Sequence, residues 1–314
     1  MNLIENIKQE VKKVIVGQEE LIDSLLVGLI ANGHILVEGV PGLAKTTAIN
    51  ALSKALGINF NRVQFTPDLL PSDVTGTQIY NPNTGEFTVK KGPVFTNLLL
   101  ADEINRAPAK VQAALLEVMQ ERQVTIGDTT FKVDKPFLVM ATENPVEQEG
   151  TYRLPEAQLD RFMLKVLVSY NTIDEEMEII RRVAIKGFEE VNPVATVDDL
   201  EEIRSKFNDV HVDDEMVKYI TKIVFATRNP AEFGVNEVAE YIDFGASPRA
   251  SIDLYKASCA IALIRGNDFV TPLDVSYIVN SVLRHRIVLN YKAQANNVSV
   301  DSVIHTIIKS IKAP

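Results

Sequence analysis

The chain's 314 residues are enough for two domains, each able to bury its own core. A hydrophobic content of 46% with 24% charged residues is ordinary soluble composition, and no apolar run reaches the ~18 residues needed to cross a bilayer. A net charge of −10 has the wrong sign for broad phosphate-backbone binding, which argues against nucleic acid as the main partner.

In chain order, the N-terminus lacks the basic-then-apolar layout of a secretion signal. Residues 3–13 alternate apolar and charged positions at helical spacing, and Val14–Gln18 turns into a second helix at about 18–31. The apolar run His34–Glu38 predicts a buried strand, followed by a glycine-rich turn and a helix to about Leu56. Asn61–Thr66 predicts a short strand. Pro67–Pro93 is rich in Pro, Gly, Asn, Thr and Asp, and is long for a connection, which marks a functional loop or an inserted element. A strand at 97–102 and a helix at about 108–121 follow. Residues 122–134 alternate around Gly127-Asp128 as a β-hairpin does, and Phe137–Thr142 and Met163–Val168 predict two more buried strands. Strands alternating with helices in this way give a wound parallel α/β sheet of five strands. Thr172 to about Glu190 predicts an acidic amphipathic helix, and apolar positions from 197 onward recur at steps of three and four, predicting helix throughout. The single cysteine, Cys259, makes no internal disulfide and suits a reducing cytoplasm. The four histidines are not spaced as zinc ligands.

The chemistry concentrates at two strand ends. Gly39–Thr46 reads GVPGLAKT, a strand–turn–helix arrangement for gripping nucleotide phosphates. Gly39 and Gly42 let the backbone curl so that N–H groups converge on one anion, Pro41 stiffens the curl, Lys45 brings positive charge to the outer phosphates, and the Thr46 hydroxyl suits Mg²⁺. Ala44 stands where the motif ordinarily has glycine, which is tolerable if Ala44 already has the negative φ of the following helix. The second strand end is Asp102-Glu103. Asp102 is placed to hold Mg²⁺ and Glu103 to polarise a water, a pairing that favours hydrolysis over transfer to a bound acceptor. The plain alternative is a polar strand end leading into a helix.

Taken together, GVPGLAKT (39–46), LLLADEINRAP (98–108), ATENPVEQEGTYRLPEAQLDRF (141–162) and GASPRA (245–250) resemble the MoxR-type AAA+ ATPases, in order over nearly the whole chain. The resemblance implies a P-loop AAA+ core over 1–170 with a helix insert and a β-hairpin, a linker helix over 171–191 and an all-helical lid over 192–314. Within the core it implies an added helix with short flanking strands in Pro71–Pro93, with Asn81–Gly85 as the tip turn. It implies ATP and Mg²⁺ bound by Gly39, Pro41, Gly42, Leu43, Ala44, Lys45, Thr46 and Thr47, with Val16 and Gly17 beside the adenine and Thr46 and Asp102 on the metal.

Asn144 resembles sensor 1, placing water with Glu103; a turn-forming Asn-Pro pair is the alternative. Arg161 resembles the arginine finger that reaches a neighbouring subunit's γ-phosphate; an ion pair with Asp160 or a surface charge is the alternative. Arg249, just after Ser247-Pro248, resembles sensor 2. A cation there opposes the helix dipole, which favours a ligand-binding role over a bare first turn. Arg284-His285-Arg286 reads equally as a solvated surface or a subunit contact, and Arg153, a departure from the family pattern, receives no role. The resemblance further implies a cytoplasmic hexameric ring, chaperone-like remodelling of a client enzyme, and von Willebrand factor A domain partners. The rival readings are a nucleic-acid-stimulated motor, which the charge disfavours, and a non-hydrolysing nucleotide-dependent scaffold, which the Asp102, Glu103, Asn144 and Arg161 set disfavours.

Overall fold

The computed structural model describes residues 3–146, 150–187 and 189–314. Residues 147–149 of the sensor motif and residue 188 of the expected acidic helix lie outside that set. In chain order the helices are α1 (Leu3–Lys12), α2 (Glu19–Ala31), α3 (Lys45–Ala55), α4 (Pro71–Thr75), α5 (Ala109–Glu121), α6 (Glu156–Leu159), α7 (Ile173–Ile180), α8 (Val197–Asn208), α9 (Asp214–Ala226), α10 (Asn236–Ala239), α11 (Pro248–Ile264), α12 (Pro272–Leu283), α13 (Tyr291–Ala295) and α14 (Val300–Ser310). The strands are β1 (Ile35–Glu38), β2 (Phe60–Gln64), β3 (Gly76–Asn81), β4 (Glu86–Lys91), β5 (Leu98–Asp102), β6 (Gln123–Ile126), β7 (Thr129–Lys132), β8 (Leu138–Glu143), β9 (Leu164–Leu167), β10 (Ile242–Phe244) and β11 (Val288–Leu289).

Contacts divide the chain into two compact units. One comprises Met1–Leu25, His34–Pro155 and Val166–Leu200; the other Leu26–Gly33, Glu156–Lys165 and Glu201–Pro314. The first is built on a five-stranded sheet in the order β2-β5-β8-β1-β9. Ile35–Val37, Leu98–Ala101 and Leu138–Ala141 are all buried, as continuous apolar runs must be when helices cover both faces of a parallel sheet. The parallel registers Gln64↔Asp102, Leu100↔Met140 and Glu38↔Glu143 bring the carboxyl ends of β2, β5, β8 and β1 to one edge. In such sheets that edge is where ligands bind.

The insert between β2 and β5 departs from the expected helix with flanking strands. Here α4 comes first, and β3 and β4 then pair with each other as one antiparallel hairpin, Tyr80 opposite Phe87. The apolar–polar alternation lies entirely after the helix, and Gly85 at φ +73° closes the tip turn. Ile79, Tyr80, Phe87 and Val89 on this ribbon are exposed. The second hairpin, β6–β7, forms where expected, with Gly127 at φ +61°.

The acidic helix is shorter than expected. A capping box starts α7, with Thr172 Oγ1 accepting from Glu175 N and Glu175 Oε2 accepting from Thr172 N. Arg181–Lys186 then continues as a π-helical turn, and Gly187 at φ +80° ends it. The second unit is helical but not wholly so: Ile242↔Leu289 pairing joins β10 and β11 into a small antiparallel ladder, which corrects the all-helical expectation. Asn290 N donating to Tyr241 O extends that tie. Among the described residues no helix is long and apolar enough to cross a membrane.

Candidate functional site

At the carboxyl edge of the sheet, the loop from Gly39 to Ala44 joins β1 to α3. Gly42 holds φ +87°, a conformation that strains any side chain. Gly39 is needed for a different reason: a Cβ there would lie 2.9 Å from Val168 O. Ala44 corrects the expectation of a negative φ. It caps α3 in the left-handed region at φ 55°, ψ 19°, so the absent glycine is compensated by strain rather than avoided.

Around this loop lies a cavity of about 580 Å³. It gathers most of the residues expected from sequence: Val16, Pro41, Gly42, Leu43, Ala44, Lys45, Thr46, Thr47, Asp102, Glu103 and Asn144. Gly17 and Gly39 do not line it but shape its wall. Gly17 at φ +69° and Gln18 at φ +55° make a tight left-handed turn, and Asn171 Nδ2 fixes that turn by donating to Val16 O at 2.9 Å.

Lys45 Nζ donates to Gly39 O at 2.5 Å. Burial pulls the Lys45 ammonium below its ordinary pKa, against the opposing pull of Asp102, Glu103 and Glu38. A cation held among carboxylates is primed to accept anionic phosphate.

The two carboxylates are tied into a chain of hydrogen bonds that sequence reading missed. Asp102 Oδ1 accepts from Thr142 Oγ1 at 2.6 Å. Asp102 Oδ2 accepts from Arg62 Nη2 at 2.6 Å and Nε at 3.1 Å. Arg62 Nη2 also donates to Gln64 Oε1 at 2.9 Å, and Gln64 Nε2 donates to Glu103 Oε2 at 2.8 Å. Arg106 Nε lies 3.1 Å from the same Glu103 oxygen. Glu103 itself sits in the left-handed region at φ 56°, its N–H donating to Thr142 Oγ1. The signal for Arg62 and Gln64 was the alternation in Asn61-Arg62-Val63-Gln64, which puts both on one side of a strand ending beside Asp102.

Asn144 lines the cavity and also makes the turn, since its buried side chain accepts from Val146 N at 3.2 Å. The two readings of this residue are therefore not exclusive. Lys13, Ile179, Arg182 and Val183 complete the wall and were likewise not expected. Arg182 is anchored by donating Nη1 to Lys12 O and Nε to Glu178.

Arg161 and Arg249 belong to the helical unit. Asp160 does not pair with Arg161. It accepts instead from Arg286 Nε at 2.8 Å and from Ser247 Oγ at 2.9 Å, while its backbone carbonyl accepts from Arg249 Nη1 at 3.1 Å. No ion pair engages Arg161 among the described residues. The Arg284–Arg286 triplet is neither solvated nor a free contact surface. Arg284 pairs with Asp301, His285 Nε2 meets Phe162 O, and Arg286 also reaches Asp253.

The comparisons bear on this geometry. Residues 34–164 match the ATPase family associated with various cellular activities (AAA), and residues 236–307 match the AAA lid domain. The chain is 50% identical over 307 residues to Chaperone MoxR1 of Mycobacterium tuberculosis, covering 97% of this chain and 81% of that protein. It is 31% identical to Protein MoxR of Paracoccus denitrificans, over 88% of this chain and 86% of the other. A crystal structure from Cytophaga hutchinsonii superposes with a TM-score of 0.93 at 52% identity, over 100% of this chain and 95% of that one.

The chain is a MoxR-type AAA+ ATPase. ATP hydrolysis is its activity, and the α/β core with its lid is the architecture of the family. In this ATPase the P-loop and the carboxylate pair share one cavity.

Proposed function

We propose that this ATPase spends hydrolysis on chaperone-like remodelling of a partner protein, working as a ring of identical subunits, hexameric and cytoplasmic. The observation that carries the catalytic part is the joining of Lys45, Thr46, Asp102, Glu103 and Asn144 around one cavity. The remodelling part rests on likeness to a relative named as a chaperone. A client enzyme and a von Willebrand factor A domain protein are the proposed partners, and residues 1–170, 171–191 and 192–314 the proposed core, linker and lid.

In this reading the loop N–H groups and Lys45 bind the phosphates of ATP. The Thr46 hydroxyl and the Asp102 carboxylate line the same cavity and are hard oxygen donors, a fitting set for Mg²⁺. When bound, that ion neutralises charge on the β- and γ-phosphates. Glu103 takes the proton from the attacking water through Oε1, its Oε2 being held by Gln64 and Arg106, and Asn144 holds that water. Arg161 reaches the γ-phosphate of a neighbouring subunit, where an arginine typically contributes ~10³–10⁵ in rate. Arg249 is the proposed sensor 2.

The test is Glu103→Gln, which preserves shape and removes the base. The variant is expected to bind ATP as the parent does, to turn over at least ~10²-fold more slowly, and to retain a partner that the parent releases on adding ATP. Turnover near the parent's rate would overturn the role of Glu103.

A further inference from the structure

Arg62 holds an unusual position. Its Nη2 and Nε both converge on a single oxygen of Asp102, Oδ2, while the other oxygen is taken by Thr142. The same guanidinium grips Gln64, which grips Glu103. Arg62 and Gln64 are alternate residues of β2 and so project from one side of it, toward the end of β5. One cation thus neutralises a carboxylate that lines the same cavity as Thr46, and one amide joins it to the other carboxylate.

We propose that Arg62 is an internal counter-cation competing with the divalent metal for Asp102. This rests on Asp102 being a metal ligand. A guanidinium and a divalent cation on one carboxylate oxygen repel each other, so both cannot keep the contact. Arg62 can leave, because its side chain is 49% exposed, while Asp102, 16% exposed, stays in place to receive the ion.

The experiment measures Mn²⁺ binding by electron paramagnetic resonance in the presence of ADP, beside ADP affinity by calorimetry in EDTA. For Arg62→Gln the half-saturating Mn²⁺ concentration is expected to fall about three- to fivefold, with metal-free ADP affinity unchanged. Arg62→Lys, which keeps a cation, is expected to return toward the parent value. A drop in metal-free ADP affinity with unaltered Mn²⁺ binding would make Arg62 a phosphate ligand and overturn the proposal. No change in either would reduce the pair to an inert surface contact, with the same result. Asp102→Asn separates the underlying reading: if it binds Mn²⁺ as the parent does, Asp102 is no metal ligand, and both readings fall.

Discussion

Arg286 and Asp160 form an ion pair whose guanidinium is almost fully buried, with Nε 2.8 Å from Oδ1 and a side chain 1% exposed. The same guanidinium reaches Asp253, whose carboxyl burial pushes up while Arg286 pulls it down. Asp160 directly precedes Arg161 and also contacts Ser247 and Arg249. The pair therefore helps hold together the two segments that carry the arginines singled out from the sequence, the one after α6 and the start of α11. Removing one partner of a buried pair strands the other charge, at about 3–5 kcal/mol. Arg286→Met is expected to lower stability by that order in thermal or urea unfolding, and Asp253→Asn in the same background to regain part of it. An unaffected melting curve would show that the pair contributes nothing to the fold.

Acid sensitivity follows from two buried histidines. Burial pushes His34 down to about 3, and its neutral form is fully used: Nδ1 accepts from Val139 N, leaving Nε2–H for Met119 O. The unfolded chain's histidine titrates at about 6.5, so between that value and about 3 the unfolded state binds the extra proton. Stability is complete above about 6.5 and falls with pH below it, by at most about 1.4 kcal/mol per pH unit for each such group. His285 acts in the same direction, lowered by burial and by Arg286, whereas the raised Asp253 works against both. Urea midpoints are expected to decline from pH 7 to pH 5, less steeply for His34→Gln.

Ala44 is a position where the chain is less stable than it could be. Its left-handed backbone suits glycine, so Ala44→Gly is expected to raise unfolding free energy by about 1 kcal/mol. Nucleotide affinity should persist, since Lys45 and Thr46 keep their places. A loss of stability in that variant would mean the strain is absent.

Lys45→Ala removes the cation proposed to meet the phosphates and should weaken nucleotide binding in calorimetry. The same protein tests the proposed trans arginine. Specific ATPase activity should rise with protein concentration, and Arg161→Ala should bind ATP yet stay slow at any concentration. Mixing the two variants should restore partial activity, because Lys45→Ala lends its Arg161 to a neighbour's intact P-loop. Constant specific activity with no recovery on mixing would place Arg161 elsewhere.

Replacing Asn81–Glu86, the tip of the β3–β4 hairpin, with a short Gly-Ser link should leave folding and ATP binding intact while uncoupling hydrolysis from a client. Global unfolding of that variant would make the hairpin a structural element.

Much of the lining of this cavity was readable from the sequence, because phosphate-gripping loops and paired carboxylates call for particular residue types at short spacing. Lys45 and Thr46 follow from the loop, and Asp102 and Glu103 from an apolar strand that ends abruptly in charge. The strands β1, β5 and β8 were equally plain, since burial on both faces leaves a continuous apolar run. What stayed hidden depends on partners distant in sequence. Arg62 and Gln64 gain meaning only from the register of β2 on β5. Arg284-His285-Arg286 looks like a wet surface until Asp301, Phe162, Asp160 and Asp253 are seen to satisfy it. The left-handed backbone of Ala44 leaves no mark in composition, and the order of helix and hairpin in the insert is set by pairing rather than by propensity.

Neither strand of the β3–β4 ribbon is buried on either face, and its exposed Tyr80 and Phe87 rings pack against each other with centroids 5.2 Å apart. Its side chains are therefore released from the packing constraints that fix the sheet below. A library randomised at Ile79, Tyr80, Phe87 and Val89 should yield folded, nucleotide-competent proteins at high frequency, whereas the same library at Leu98–Ala101 should not. The ribbon is in that sense a graft site: recognition could be rewritten there while the motor beneath runs unchanged.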